Sequence, residues 1–210
     1  MSSSDLPSSK LGTKEHWDHV YSAELSNFKE IGDEGEIWFG EDSVEKMIDW
    51  AVENIPSDTN PWIVEIGSGN GTLLFALQEA GYPPRRICGV DYSQDAVKLS
   101  RAIGESREEG ASDITFGVCD FLTDYPAPLD GQSSSSDRVG LWDLVLDKGT
   151  FDAMALSERD ENGNAPWEAY PPRIAQILRP GGYFLITSCN FTEDELRTKF
   201  SNAETGLEYQ

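Results

Sequence analysis

From Pro61 onward the chain alternates short apolar runs with segments of helical periodicity. The runs at residues 62–66, 86–90, 114–119, 141–146 and 183–187 are too short for buried helices. They are bounded by Gly, Asp or Pro and read as strands buried on both faces. Between them lie helical segments: residues 72–80, closed by Gly81 at the position past the last turn; a segment capped by Ser93; one opened by Pro171 or Pro172 and ending at Leu178; and a last one behind the Thr192–Glu195 capping box. Strand–helix alternation imposes right-handed crossovers and a parallel sheet, so the fold class expected is α/β, mostly parallel, with helices on both faces. Upstream, the pattern predicts a short helix from Thr13 to about Tyr21. A second helix is capped by Asp42 or Ser43, with Val44, Met47, Ile48, Ala51 and Val52 on one face. At 210 residues the chain is expected to form one domain over residues 11–210, behind a polar, disordered tail at residues 1–10. The Ser-rich stretch from Asp130 to Gly140 reads as a flexible surface insertion.

Charge restricts the function. A formal net charge of −22 leaves no surplus of Lys and Arg to displace counterions from a nucleic-acid backbone or to hold an anionic membrane. A basic protein surface is the more natural partner. Cys88, Cys119 and Cys189 are odd in number, lack C-x-x-C spacing and sit in apolar runs, as core thiols of a reducing compartment do. No run approaches the length of a membrane-spanning helix, and the first residues lack the apolar stretch of a signal peptide. A soluble cytoplasmic protein, taken as a monomer, is the expectation.

In an open parallel sheet, ligands bind beyond the carboxyl ends of the strands. The first strand ends in Val64-Glu-Ile-Gly-Ser-Gly-Asn-Gly71. Gly67, Gly69 and Gly71 allow a tight turn and close backbone approach, with Thr72 where a dinucleotide fingerprint would place its third glycine. Glu65 would repel a pyrophosphate but can accept a hydrogen bond from an ammonium or hydroxyl group, as the amino-acid end of S-adenosylmethionine offers. Asp91, closing the second strand, is placed to take two ribose hydroxyls, and Tyr92 to pack against an adenine. Asp120, after the third strand, could accept from an adenine amino group. His16 and His19 are spaced as a metal pair could be, but with no third ligand they read as surface or packing residues, and no metal is expected.

Six motifs in order, Thr13-Lys-Glu-His-Trp-Asp18, Gly35-Glu-Ile-Trp-Phe-Gly40, the glycine loop, Gly89-Val-Asp-Tyr-Ser93, Asp147-Lys-Gly-Thr-Phe-Asp-Ala153 and Ser188-Cys-Asn190, resemble one family. It is that of the elongation factor 1-alpha lysine methyltransferases, within the seven-strand, Rossmann-like S-adenosylmethionine-dependent class. The resemblance spans residues 11–200. It implies methyl transfer from S-adenosylmethionine to a lysine of translation elongation factor 1-alpha. It also implies that Trp38 helps close the cofactor pocket, that Gly67, Gly69, Asp91, Asp120 and Phe121 bind cofactor, and that Asp147 sits where cofactor meets lysine. Such chemistry asks for an uncharged amine held in line with the methyl group, in a slot of aromatics and one carboxylate, for which Asp147, Phe151 and Trp38 are candidates. Asp147 has a competing reading as a turn or helix-cap carboxylate, and Lys148 is assigned no role. Members of the class continue past the last helix into two further strands, so the chain is expected to be C-terminally short, with Gly206-Leu-Glu-Tyr209 resembling the start of the first. That keeps a non-catalytic cofactor-binding protein open as an alternative, beside a methyltransferase of another amine; a dehydrogenase is disfavoured by the glycine spacing and Glu65.

Overall fold

The computed structural model describes residues 6–107, 110–132 and 139–210. Helices α1 (Lys14–Ile31) and α2 (Glu41–Asn54) precede an alternation of β1 (Ile63–Ile66), α3 (Thr72–Glu79), β2 (Ile87–Asp91), α4 (Gln94–Ser106), β3 (Thr115–Val118), β4 (Trp142–Lys148), α5 (Thr150–Ala155), α6 (Tyr170–Ile177), β5 (Leu178–Thr187) and α7 (Glu193–Phe200). All strand pairs are parallel, in the order β3-β2-β1-β4-β5. Strand order reverses between β1 and β4, which makes their carboxyl ends the switch point of the sheet.

The strands divide their side chains between two cores with the period of two that a strand imposes. Ile63, Ile87, Leu144 and Leu146 face the layer of α1 to α4, while Val64, Ile66, Cys88, Val90 and Val145 face the layer of α5 to α7. Trp142 and Leu144 share parity yet enter different cores because a register shift separates them. The register Glu65↔Leu146 and this alternation put the odd residues of β1 and β2 on the α1–α4 face, with even-numbered Lys148. Asp147 falls on the other face.

Several boundaries depart from the sequence pattern. Helix α1 continues ten residues past Tyr21 to Ile31, because no Gly or Pro interrupts it and Tyr21, Leu25 and Phe28 carry the apolar stripe onward, until Gly32 at φ +76° ends it. Helix α2 starts at Glu41 behind Gly40, with neither Asp42 nor Ser43 as the cap. Strand β5 begins at Leu178, ahead of the expected 183, through a segment paired with Trp142. Ser93 stands at the start of α4 but gives it no side-chain cap bond. Thr192 and Glu195 form the expected capping box. From Leu6 the expected tail is bound to the domain: Leu6 lies against the second core and the Ser9 N–H donates to the Leu156 carbonyl at 3.0 Å. Residues 1–5 and the serines at 133–136 lie outside the described residues. Gly206 to Tyr209 pairs with no strand among them; Tyr209 N–H donates instead to Ser201 Oγ at 3.1 Å. Cys88 and Cys119 are buried thiols, whereas Cys189, in the loop after β5, is exposed. No described helix is long and apolar enough to cross a membrane.

Candidate active site at the carboxyl ends of the strands

The loop after β1 is drawn under the end of β2: the N–H groups of Gly67 and Ser68 both donate to the Val90 carbonyl, at 2.8 and 3.0 Å. Gly67 and Gly69 have φ of +72° and +54°, and their missing side chains are filled by neighbours. A Cβ would stand 2.0 Å from Thr150 Oγ1 at Gly67 and 2.4 Å from the Tyr21 hydroxyl at Gly69. Both conformation and space therefore require glycine. Asn70 supplies the start of α3, its Oδ1 accepting from Thr72 N–H at 3.3 Å and Thr72 Oγ1–H at 2.9 Å.

Two buried carboxyls flank this loop on the α1–α4 face. Asp91 accepts from Gly69 N–H at 3.1 Å and Ser93 N–H at 2.8 Å. Burial pushes its pKa up to about 6, against those two bonds. Glu65 is 1% exposed and its Oε2 has no hydrogen-bond partner. Burial raises it above the usual carboxylate range, the Asp147 and Asp91 charges add to that, and only Lys148 opposes them. Ser68 Oγ, Ser93 Oγ and Trp38 Nε1 are also buried without partners. Buried polar groups are nearly always bonded in native proteins. Of the six such unmet atoms among the described residues, four lie at the ends of β1 and β2 or in the segment over them. That concentration is the signature of a polar ligand site.

Residues 32–40 form a strap across this region. Asn70 Nδ2–H reaches the Glu34 carbonyl at 3.0 Å, Glu36 N–H donates to Glu24 Oε1 at 3.1 Å, and Arg107 pairs with Glu34 at 2.5 Å. The Trp38 ring meets Trp17 edge-on with centroids 4.9 Å apart, and Lys148 Nζ donates to the Trp38 carbonyl at 3.0 Å. Farther along the strand ends, Tyr92 is half-buried with Lys14 over its ring, centroid distance 5.3 Å. Asp120 is exposed, and its Oδ1 accepts from Leu122 N–H at 3.1 Å. Phe121 departs from the expectation: its ring turns into the second core against Tyr170, 5.4 Å away, so only its backbone remains for a ligand.

At the end of β4 the expected lysine contacts are placed differently. Asp147 has no exposed surface. Its carboxylate accepts from Thr150 N–H at 2.7 Å, Phe151 N–H at 3.0 Å and the Tyr170 hydroxyl at 2.6 Å. Burial pushes its pKa up to about 7, opposed by those three donors. From two residues ahead of the Gly149 N-cap it satisfies the first two N–H groups of α5 and anchors Tyr170. Phe151 is fully buried, stacked with Tyr170 at 5.6 Å and surrounded by Phe191 and Phe200. In place of an open lysine slot, the structure buries both side chains among protein partners, and strand alternation points Asp147 away from Glu65. Thr150 ties the halves together, its hydroxyl donating to the Ile66 carbonyl at 2.7 Å. Tyr21 and Asn70, which the sequence pattern did not single out, and Lys148, to which it gave no role, also stand at this candidate site. For Lys148 the signal was its even spacing from Leu146, which becomes informative only once the register with Glu65 is known.

A methyltransferase-domain family matches residues 57–208. The chain is 41% identical over 209 residues to the protein-lysine N-methyltransferase efm4 of Schizosaccharomyces pombe, covering 94% of this chain and 83% of that protein. It is 41% identical over 201 residues to the human EEF1A lysine methyltransferase 2, covering 95% and 77%. Among solved structures, a putative methyltransferase from Haloferax volcanii, in complex with the Trm112 methyltransferase activator, superposes with a TM-score of 0.56 at 20% identity, covering 88% of this chain and 74% of that one.

Proposed function

Because this chain belongs to the protein-lysine methyltransferase family that includes efm4 and EEF1A lysine methyltransferase 2, we propose that it methylates a lysine of translation elongation factor 1-alpha with S-adenosylmethionine as methyl donor. The observation that carries the reading to specific residues is the buried Glu65 Oε2, without a partner, beside a glycine loop that leaves no room for side chains. When bound, the cofactor supplies an electrophilic sulfonium methyl group.

Glu65 would accept from the ammonium of its amino-acid end, with Ser68 beside it, and Gly67 and Gly69 would let the backbone approach. Asp91, already fixed by two backbone N–H groups, would turn its remaining lone pairs to the ribose hydroxyls. Tyr92, Asp120 and the backbone at Phe121 would bound the adenine. Trp38 would close the pocket from the strap. The lysine amine must arrive unprotonated, and desolvation against aromatic walls lowers an amine's pKa. Asp147 and Phe151 would fix α5 and, through Thr150, the end of β1. The cysteines at positions 88, 119 and 189 fit the reducing cytoplasm.

The test is methyl transfer from labelled S-adenosylmethionine to purified elongation factor 1-alpha, read by mass spectrometry, with Asp91→Ala as control. A lysine-specific gain that the control lacks supports the reading. Cofactor binding with no gain on that substrate would sink it.

A further inference from the structure

Resting on that reading, we propose that Lys148 is a positioning residue for cofactor binding: its ammonium latches the strap in a disfavoured backbone conformation over the glycine loop, facing the Glu65 carboxyl. Residues 37–40 make a four-residue turn, closed by Gly40 N–H donating to the Ile37 carbonyl at 2.9 Å. Phe39, its third residue, has φ +69°. That is where a type II turn demands left-handed backbone and ordinarily takes glycine. A phenylalanine there is uncommon, and such a conformation persists only where the surroundings impose it.

Two adjacent residues at the end of β4 impose it. Lys148 Nζ holds the Trp38 carbonyl at 3.0 Å. Gly149, at φ +88°, leaves the space that the Phe39 ring fills: a Cβ there would stand 2.2 Å from Phe39 Cε2. Type I and type II turns differ by reversal of the central peptide plane, here the Trp38–Phe39 peptide. The carbonyl that Lys148 grips belongs to that plane. Reversing it returns Phe39 to negative φ and turns the carbonyl away from the ammonium. The lysine thereby selects the strained form of the turn, and with it the placement of Trp38.

The same side chain serves the floor of the site. Lys148 shares the sheet face of Glu65, and its charge is the one that favours ionised Glu65 against Asp147 and Asp91. Strap and floor are thus joined through one cation, and a ligand lying between them meets both.

The experiment compares wild type, Lys148→Met and Lys148→Arg in titrations with S-adenosylhomocysteine, hydrogen exchange of the strap and urea unfolding. Lys148→Met is expected to weaken binding about tenfold, the scale of one charge-assisted hydrogen bond. Residues 32–40 should exchange faster while the unfolding midpoint holds, and Lys148→Arg should restore most of the affinity. In turnover the Met variant should raise KM for S-adenosylmethionine and leave kcat within about threefold. Unchanged affinity in Lys148→Met overturns the proposal. So does a loss of affinity that tracks a fall in the unfolding midpoint without faster strap exchange. Wild-type protein that binds no S-adenosylhomocysteine overturns the parent reading, and this one with it.

Discussion

The two halves of the sheet end in similar sequence, an acidic residue closing an apolar strand, and put it to opposite uses. On the β1–β2 half, Glu65 and Asp91 are buried on the α1–α4 face with acceptor capacity to spare, and neighbouring polar atoms lack partners. On the β4–β5 half, the Asp147 carboxylate is engaged by three donors. Asp152 likewise accepts from Ser188 Oγ–H at 2.8 Å and Asn190 N–H at 2.9 Å. The strand-end carboxyls of one half keep acceptor capacity that a ligand could use, and those of the other are satisfied within the protein. A strand-end carboxylate is therefore read correctly only with its donors counted and its sheet face known.

The largest effect that would break this contrast is on stability. Asp147→Ala removes the acceptor of the first two α5 N–H groups and leaves the buried Tyr170 hydroxyl unpaired, so it should cost about 3 kcal/mol in urea unfolding. If the variant unfolds like wild type but loses methyl transfer, the completed half is chemical after all. Gly67→Ala probes the seam between the halves. Its new Cβ meets Thr150 Oγ1 from a left-handed backbone, and the expected loss is about 2 kcal/mol in the same assay. Asp91→Asn should weaken S-adenosylhomocysteine about tenfold by calorimetry, since the amide loses the charge and sets an N–H against one of the two backbone donors that hold Asp91.

The smallest effect is a pH dependence. Burial holds Glu65 above the ordinary carboxylate range, so in the free protein it carries a proton at pH values where an exposed glutamate does not. Accepting from an ammonium requires the ionised form, so ligand binding expels that proton and affinity rises with pH. Asp91 and Asp147 raise this pKa and Lys148 lowers it, which sets where the rise falls. The gain is expected to build as the pH rises from about 6 to about 8, and to be flattened in Glu65→Gln. Calorimetry in buffers of different ionisation enthalpy should register the released proton. A wild-type affinity that is flat across this interval, or falls, contradicts the assignment of Glu65.

Much of the fold was legible because buried parallel strands are near-continuous apolar runs and helices carry caps. Strands at 63–66, 87–91, 115–118 and 142–148 and the Thr192 capping box all follow from such local signals. The six-residue α5 was not, since its N-cap is Gly149 and the carboxylate that satisfies its first N–H groups, Asp147, lies upstream on a strand. Of the candidate site, the place of the glycine loop and of Asp91 at the strand ends was readable from spacing. Which side of the sheet Asp147 and Lys148 face depends on register with β1, a long-range property no local pattern encodes. The strap was hidden for a similar reason, because a phenylalanine at positive φ defies its own propensity and is held there by residues more than a hundred positions away.

The central claim is that the β1–β2 half holds the cofactor while the β4 half holds the fold. Its most direct test is one paired experiment, in which Glu65→Gln and Asp147→Asn are each titrated with S-adenosylhomocysteine and unfolded in urea. The account predicts that Glu65→Gln loses about tenfold in affinity with its unfolding midpoint unmoved, whereas Asp147→Asn loses stability and, where folded, binds as wild type does. Affinity lost in Asp147→Asn and retained in Glu65→Gln would contradict it.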